Sequence, residues 1–158
     1  MFGNNPLHTP IAKIAIKILP YQLKIEIAHI VIFFIGLLLK SESTASGEII
    51  IISLGSLAGV YSILSFKEYS KENKWYHRFS TELIYKSFST LIISSLFTIM
   101  HWPGMDFMLT GGTIILIIGN VVKYIIEYRK DKSYNYITPD FVRSLIIFLA
   151  CGLFLYLN

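Results

Sequence analysis

The chain has 158 residues, of which 54% are hydrophobic and only 15% charged, and its mean hydropathy is +0.59. Soluble domains carry about 45–50% apolar and about 25% charged residues, so this composition excludes an ordinary water-soluble globule and calls for lipid as solvent. A formal net charge of +4 would suit a nucleic-acid binder, but the basic residues are spread over connections between apolar runs, which argues for lipid as the partner and against nucleic acid.

In chain order, residues 1–22 make the first unit. Nothing in them combines a basic start, a short apolar core and a small-residue cleavage site, so the first membrane segment is expected to be retained. From Ile11 to Leu19, Lys13 and Lys17 stand four apart on one helical face with isoleucines elsewhere, which predicts an amphipathic helix lying flat on the cytoplasmic leaflet. Pro20 is expected to break that helix and let the chain turn into the bilayer.

Five stretches then meet the length a spanning helix needs, about 20 mainly apolar residues: 23–40, 47–66, 83–100, 105–126 and 141–157. The first is the weakest, because Lys24, Glu26 and His29 crowd its start. A β-barrel would need alternating segments instead, so the expected fold class is an all-α membrane protein with about five transmembrane helices. Two tandem hairpins occupy 23–66 and 83–126, a C-terminal transmembrane helix occupies 141–158, and the connections are 67–82 and 127–140. Within these connections Trp75, Tyr76 and His77 suit head-group depth. Thr138 and Pro139 read as the N-cap and first position of the last helix.

Orientation follows from Lys and Arg, which mark cytoplasmic connections. Only Lys40 falls on the side opposite to the other basic residues. The N-terminus is therefore expected inside, the 41–46 and 101–104 turns outside, and Asn158 outside. Cys151, the single cysteine, lies in an apolar run and reads as a small packing residue.

The run from Gly36 to Glu48 can be laid over Ser94–Asp106 without a gap, with Glu48 falling on Asp106 and Ser46 on Gly104. Each half then looks like one copy of a helix, tight outer turn, helix unit, and copies with an even number of crossings share their orientation. In the second copy Met100, His101, Trp102, Pro103 and Gly104 form an elbow: Trp suits the interface, Pro fixes entry to a turn, and Gly permits a dihedral other residues resist. His101 is expected to bond a freed carbonyl, and Asp106 to sit at the positive end of the next helix.

By this Met-His-Trp-Pro-Gly elbow between apolar helices, over roughly residues 88–127, the chain resembles the GldL-like membrane proteins, named for the gliding-motility and type 9 secretion motor subunit of Bacteroidota. The resemblance implies a cytoplasmic N-terminus and an outer hairpin turn. It also implies a membrane-embedded glutamate in the second hairpin helix, where this chain has Gly119 and Asn120. A proton-driven motor is therefore not the expectation.

No Gly-rich phosphate loop, nucleophile elbow or His-x-x-x-His spacing occurs, so the chain is not expected to be an enzyme, and no cofactor or metal is expected. A candidate polar or transport site comprises Glu26, His29, Ser56 and Asn120, with Glu26 and His29 close to Lys24. Small residues, Gly55 and Gly59 on one span and Gly111, Gly112 and Gly119 on another, allow close helix approach. The expected function is a non-catalytic membrane subunit of a larger envelope complex, related to gliding motility or type 9 secretion. Its partners would be other membrane subunits or further copies of itself. The alternative is a small channel or carrier for protons, ions or a small solute.

Overall fold

The computed structural model describes residues 8–39, 45–70, 75–130 and 137–157. Among these residues six α-helices follow one another: α1 His8–Ile18, α2 Gln22–Leu39, α3 Ala45–Leu64, α4 Trp75–Ile99, α5 Met105–Lys130 and α6 Pro139–Leu157. Short 3₁₀ turns, Leu19–Tyr21 and Lys67–Ser70, follow α1 and α3. The chain is an all-α, multi-pass membrane protein. Among the described residues four stretches are long and apolar enough to cross a bilayer, Pro10–Leu39, Ser46–Tyr69, Trp75–Ile99 and Met105–Arg129. The fifth expected span is the 19-residue α6, which is not one of these four. Positions 40–44 of the expected outer turn, Lys71, Lys74, Lys132, Asn158 and the Cys151 side chain lie outside the described residues.

The bundle is inside out relative to a soluble protein. Apolar side chains of α2 face outward, including Leu23, Ile27, Val31, Phe34 and Leu38, whereas α4 lies at the centre and packs against α3, α5 and α6. Its buried face holds Ile84, Tyr85, Phe88 and Leu91 together with Ser80, Thr81, Ser87, Ser94, Ser95 and Thr98. A hydroxyl in a low-dielectric interior needs an acceptor, and three of these find one on their own helix: Ser87 donates to the Leu83 carbonyl at 2.6 Å, Ser95 to Leu91 at 3.0 Å and Thr98 to Ser94 at 3.0 Å. Small satisfied hydroxyls leave room for neighbouring backbones.

Close approach is clearest at three glycines. A Cβ on Gly119 would stand 3.0 Å from Ile84 Cγ1 and 3.2 Å from the Ile84 backbone nitrogen, and one on Gly112 would stand 3.0 Å from Leu91. Both seat α5 on α4. Gly36, which the sequence reading did not single out for packing, does the same for α2 on α3, where a Cβ would meet Ile50 Cγ1 at 2.8 Å. At Gly55, Gly59 and Gly111 no described residue outside the helix's own backbone comes within 4 Å of that position.

Two helix boundaries differ from those expected. Pro20 does not end the first helical rod: it sits in the 3₁₀ turn, with Ile18 at φ −78°, ψ −33° and Gln22 at φ −50°, ψ −51°, both helical. Proline's missing N–H costs little at the start of a new turn. Helix α1 therefore continues toward α2 with buried Ala12 and Ala15, packed against α3 and the Lys67–Ser70 turn. Helix α4 starts at Trp75, within the expected 67–82 connection, because its polar first turns meet partners. His77 Nδ1 lies 3.1 Å from Glu127 Oε1 on α5, and the Tyr69 hydroxyl donates to Glu82 at 2.7 Å.

A buried polar cluster joining both hairpins to the last helix

The first turn of α6 is placed by its cap. Thr138 Oγ1 accepts the Phe141 N–H at 3.2 Å, Pro139 takes the first helical position, and Asp140 and Arg143 then project three residues apart on one face. Lys123 of α5 donates to Asp140 Oδ2 at 2.6 Å, and Lys67, after α3, approaches the same oxygen at 3.5 Å. The Tyr85 hydroxyl of α4 donates to Oδ1 at 2.8 Å and accepts from Lys67 at 2.6 Å. Arg143 completes the bridge to α2: its Nε donates to Glu26 Oε1 at 2.9 Å. That oxygen also accepts the Tyr61 hydroxyl of α3 at 2.8 Å and Gln22 Nε2 at 2.8 Å.

Five ionisable side chains, Glu26, Lys67, Lys123, Asp140 and Arg143, thus meet with side-chain exposures between 11% and 21%. The rings of Tyr61, Tyr85 and Phe88 pack beside them with centroids 5.2–5.9 Å apart. Chemically this is an electrostatic lock. Opposite charges in low dielectric stabilise one another only while all are present, and removing one partner from a buried pair costs about 3–5 kcal/mol. Helix α6 is the element on which bonds from α2, α4 and α5 converge.

The expected polar group is redistributed by this lock. Glu26 takes Arg143 as its cation; Lys24 is exposed, since two residues along a helix turn a side chain by about 200°. His29 and Ser56 do meet: His29 Nε2 lies 2.9 Å from Ser56 Oγ, and Nδ1 lies 2.7 Å from the Ile25 carbonyl. Ser53 Oγ donates to the His29 carbonyl at 2.7 Å. Asn120 stands with α6 instead, its Nδ2 donating to Ser144 Oγ at 3.1 Å and to the Leu116 carbonyl at 2.9 Å. Asp140, Arg143, Lys123, Lys67, Tyr61 and Tyr85 were not in the sequence-derived site. The available signal was an Asp and an Arg three apart at the entrance of an apolar helix. Among the described residues no three His, Cys, Asp or Glu gather into a metal-holding group.

At the other end of α4 the elbow is a helix C-cap. The Trp102 N–H donates to the Phe97 carbonyl at 2.8 Å and the His101 N–H to the Thr98 carbonyl at 3.2 Å, the paired bonds of a Schellman motif. His101 holds the left-handed position, φ 53°, where glycine is usual, and Gly104 follows at φ 93°. The hydrophobic contact that accompanies such caps is the edge-on packing of Trp102 on Phe97 at 5.3 Å. So it is the His101 backbone, with the side chain exposed, that bonds a freed carbonyl. Pro103 leads into α5, where Asp106 lies exposed in the first turn, and Ser94 Oγ ties the two helices by donating to the Met105 carbonyl at 3.0 Å.

The fold and the cluster define a helical multi-pass membrane protein whose last helix is locked to both hairpins. Comparison with family models, curated proteins and solved structures finds no match.

Proposed function

We propose that this chain is a non-catalytic subunit of a larger envelope complex of the gliding-motility or type 9 secretion kind. In this reading it resides in a bacterial inner membrane with its N-terminus in the cytoplasm and its C-terminus in the periplasm. The observation that carries the reading is the unequal use of glycine. Gly36, Gly112 and Gly119 seat helices within the chain, while Gly55 and Gly59, one turn apart on α3 beside exposed Ile52 and Ser56, face open space. Helices in lipid associate through such close approaches, so this face suits a helix of another subunit or a second copy. The ionised groups of the lock support a structural role, because they are engaged with one another.

Purification in mild detergent followed by crosslinking tests the proposal. Companions or a defined homo-oligomer are expected, lost in Gly55→Ile/Gly59→Ile while the monomer keeps its fold. A solitary monomer without crosslinked partners contradicts it.

The His29–Ser56 bond favours a second reading, a small channel or carrier for protons, ions or a small solute that uses Glu26, His29, Ser56 and Asn120. Flux in reconstituted vesicles that falls in Glu26→Gln and Asn120→Ala supports it; vesicles without flux remove it.

A further inference from the structure

The first 25 residues contain no Asp or Glu and three lysines, Lys13, Lys17 and Lys24. The lysines are four and seven residues apart, the spacing of one helical face. The 3₁₀ turn between the second and third adds only about 60° of rotation, because its three residues turn by about 120° each and not 100°. All three are exposed, as are Ile14, Ile16 and Tyr21 beside them. The opposite face is fixed to the protein: Ala12, Ala15 and Gln22 are buried, and Glu26, the first acid in the chain, is turned inward onto Tyr61 and Arg143.

The helix is thus packed along one face on α3 and the Lys67–Ser70 turn. Its outward face carries a charged stripe, about 17 Å from Lys13 to Lys24 at helical rise. Its lysines alternate with isoleucines, a leucine and a tyrosine, and this pattern matches the boundary between phosphate head groups and acyl chains. Among the described residues none of the three lysines forms an ion pair, whereas exposed Lys86 on α4 is paired with Glu82.

We propose that Lys13, Lys17 and Lys24 form a binding stripe for the head groups of anionic phospholipids, which sit against the first helical rod as retained lipids. The occupant is set by charge complementarity. An acid-free row of cations flanked by apolar side chains selects an anionic amphiphile over a zwitterionic one.

The test titrates phosphatidylglycerol or phosphatidylcholine onto the full chain in detergent and counts bound lipids by native mass spectrometry. Wild type is expected to retain phosphatidylglycerol in preference to phosphatidylcholine. Affinity for phosphatidylglycerol should drop about fivefold for each lysine removed across Lys13→Gln, Lys17→Gln and Lys24→Gln. The triple arginine variant should keep it, and thermal unfolding should be unchanged, since none of the three touches the buried cluster. Unchanged phosphatidylglycerol retention in the triple glutamine variant overturns the proposal. An equal loss in Lys86→Gln, which would mean a general effect of surface charge, overturns it as well.

Discussion

Helices α2 and α4 run through the same molecule on opposite rules. Helix α2 is built almost wholly of Ile, Leu, Val and Phe beyond His29, yet Ile30, Val31, Phe34, Ile35 and Leu38 point outward. Helix α4 is rich in Ser and Thr, begins with Trp, Tyr, His and Arg, and is the most buried of the four spanning helices. In water this assignment would be reversed. In lipid, apolar side chains gain little from being inside, so the interior goes to residues that let backbones approach and satisfy their own hydroxyls. Hydropathy therefore finds the lipid-facing helices more readily than the central one.

Several substitutions sharpen or break this comparison. The largest effect belongs to the lock. Asp140→Ala leaves Lys67 and Lys123 without their carboxylate and should cost about 3–5 kcal/mol, read as a lowered unfolding midpoint in detergent and loss of α6 protection in hydrogen exchange. Next is a matched aromatic pair. Phe88→Ala opens a cavity on α4 beside Tyr61 and Tyr85 and should cost about 3 kcal/mol or more. Phe34→Ala on α2, 57% exposed, should cost less than about 1 kcal/mol because lipid fills the space; equal costs in the same unfolding assay would break the comparison.

Glycine supplies the third test. Gly119→Val forces a side chain against the Ile84 backbone and should destabilise by about 1–3 kcal/mol. A Cβ at Gly55 meets nothing within 4 Å among the described residues, so the Gly55→Val monomer should melt with wild type. The smallest effect lies in the elbow: His101→Gly relieves a left-handed residue and should raise stability by about 1 kcal/mol or less, measured by the same melting curve.

Much of the architecture was legible in the residues. Long apolar runs placed the hairpins, and Thr138-Pro139 marked the start of α6 to the residue, because capping is local chemistry. The elbow was visible as a turn, although the left-handed residue is His101 as well as Gly104, since the Schellman bonds and the Trp102–Phe97 contact impose that position. The lock was not legible. Glu26 and Arg143 are 117 residues apart and Tyr85 and Asp140 are 55 apart, and nothing local announces that such groups share an interior. The start of α4 was missed for the same reason: Trp75 to Glu82 reads as an interfacial connection until Glu127 and Tyr69 are seen to meet it.

The most direct test of this inside-out arrangement is lipid access, measured by spin labels placed one at a time at Ile35 on α2, Ile118 on α5 and Leu91 on α4, in a Cys151→Ser background reconstituted in bilayers. Dissolved oxygen, which concentrates in hydrocarbon, should broaden the labels at 35 and 118 strongly, with a water-soluble nickel chelate excluded from both and the label at 91 shielded from either reagent. Nickel access at 35 and 118 would contradict the account, as would oxygen access at 91 equal to theirs.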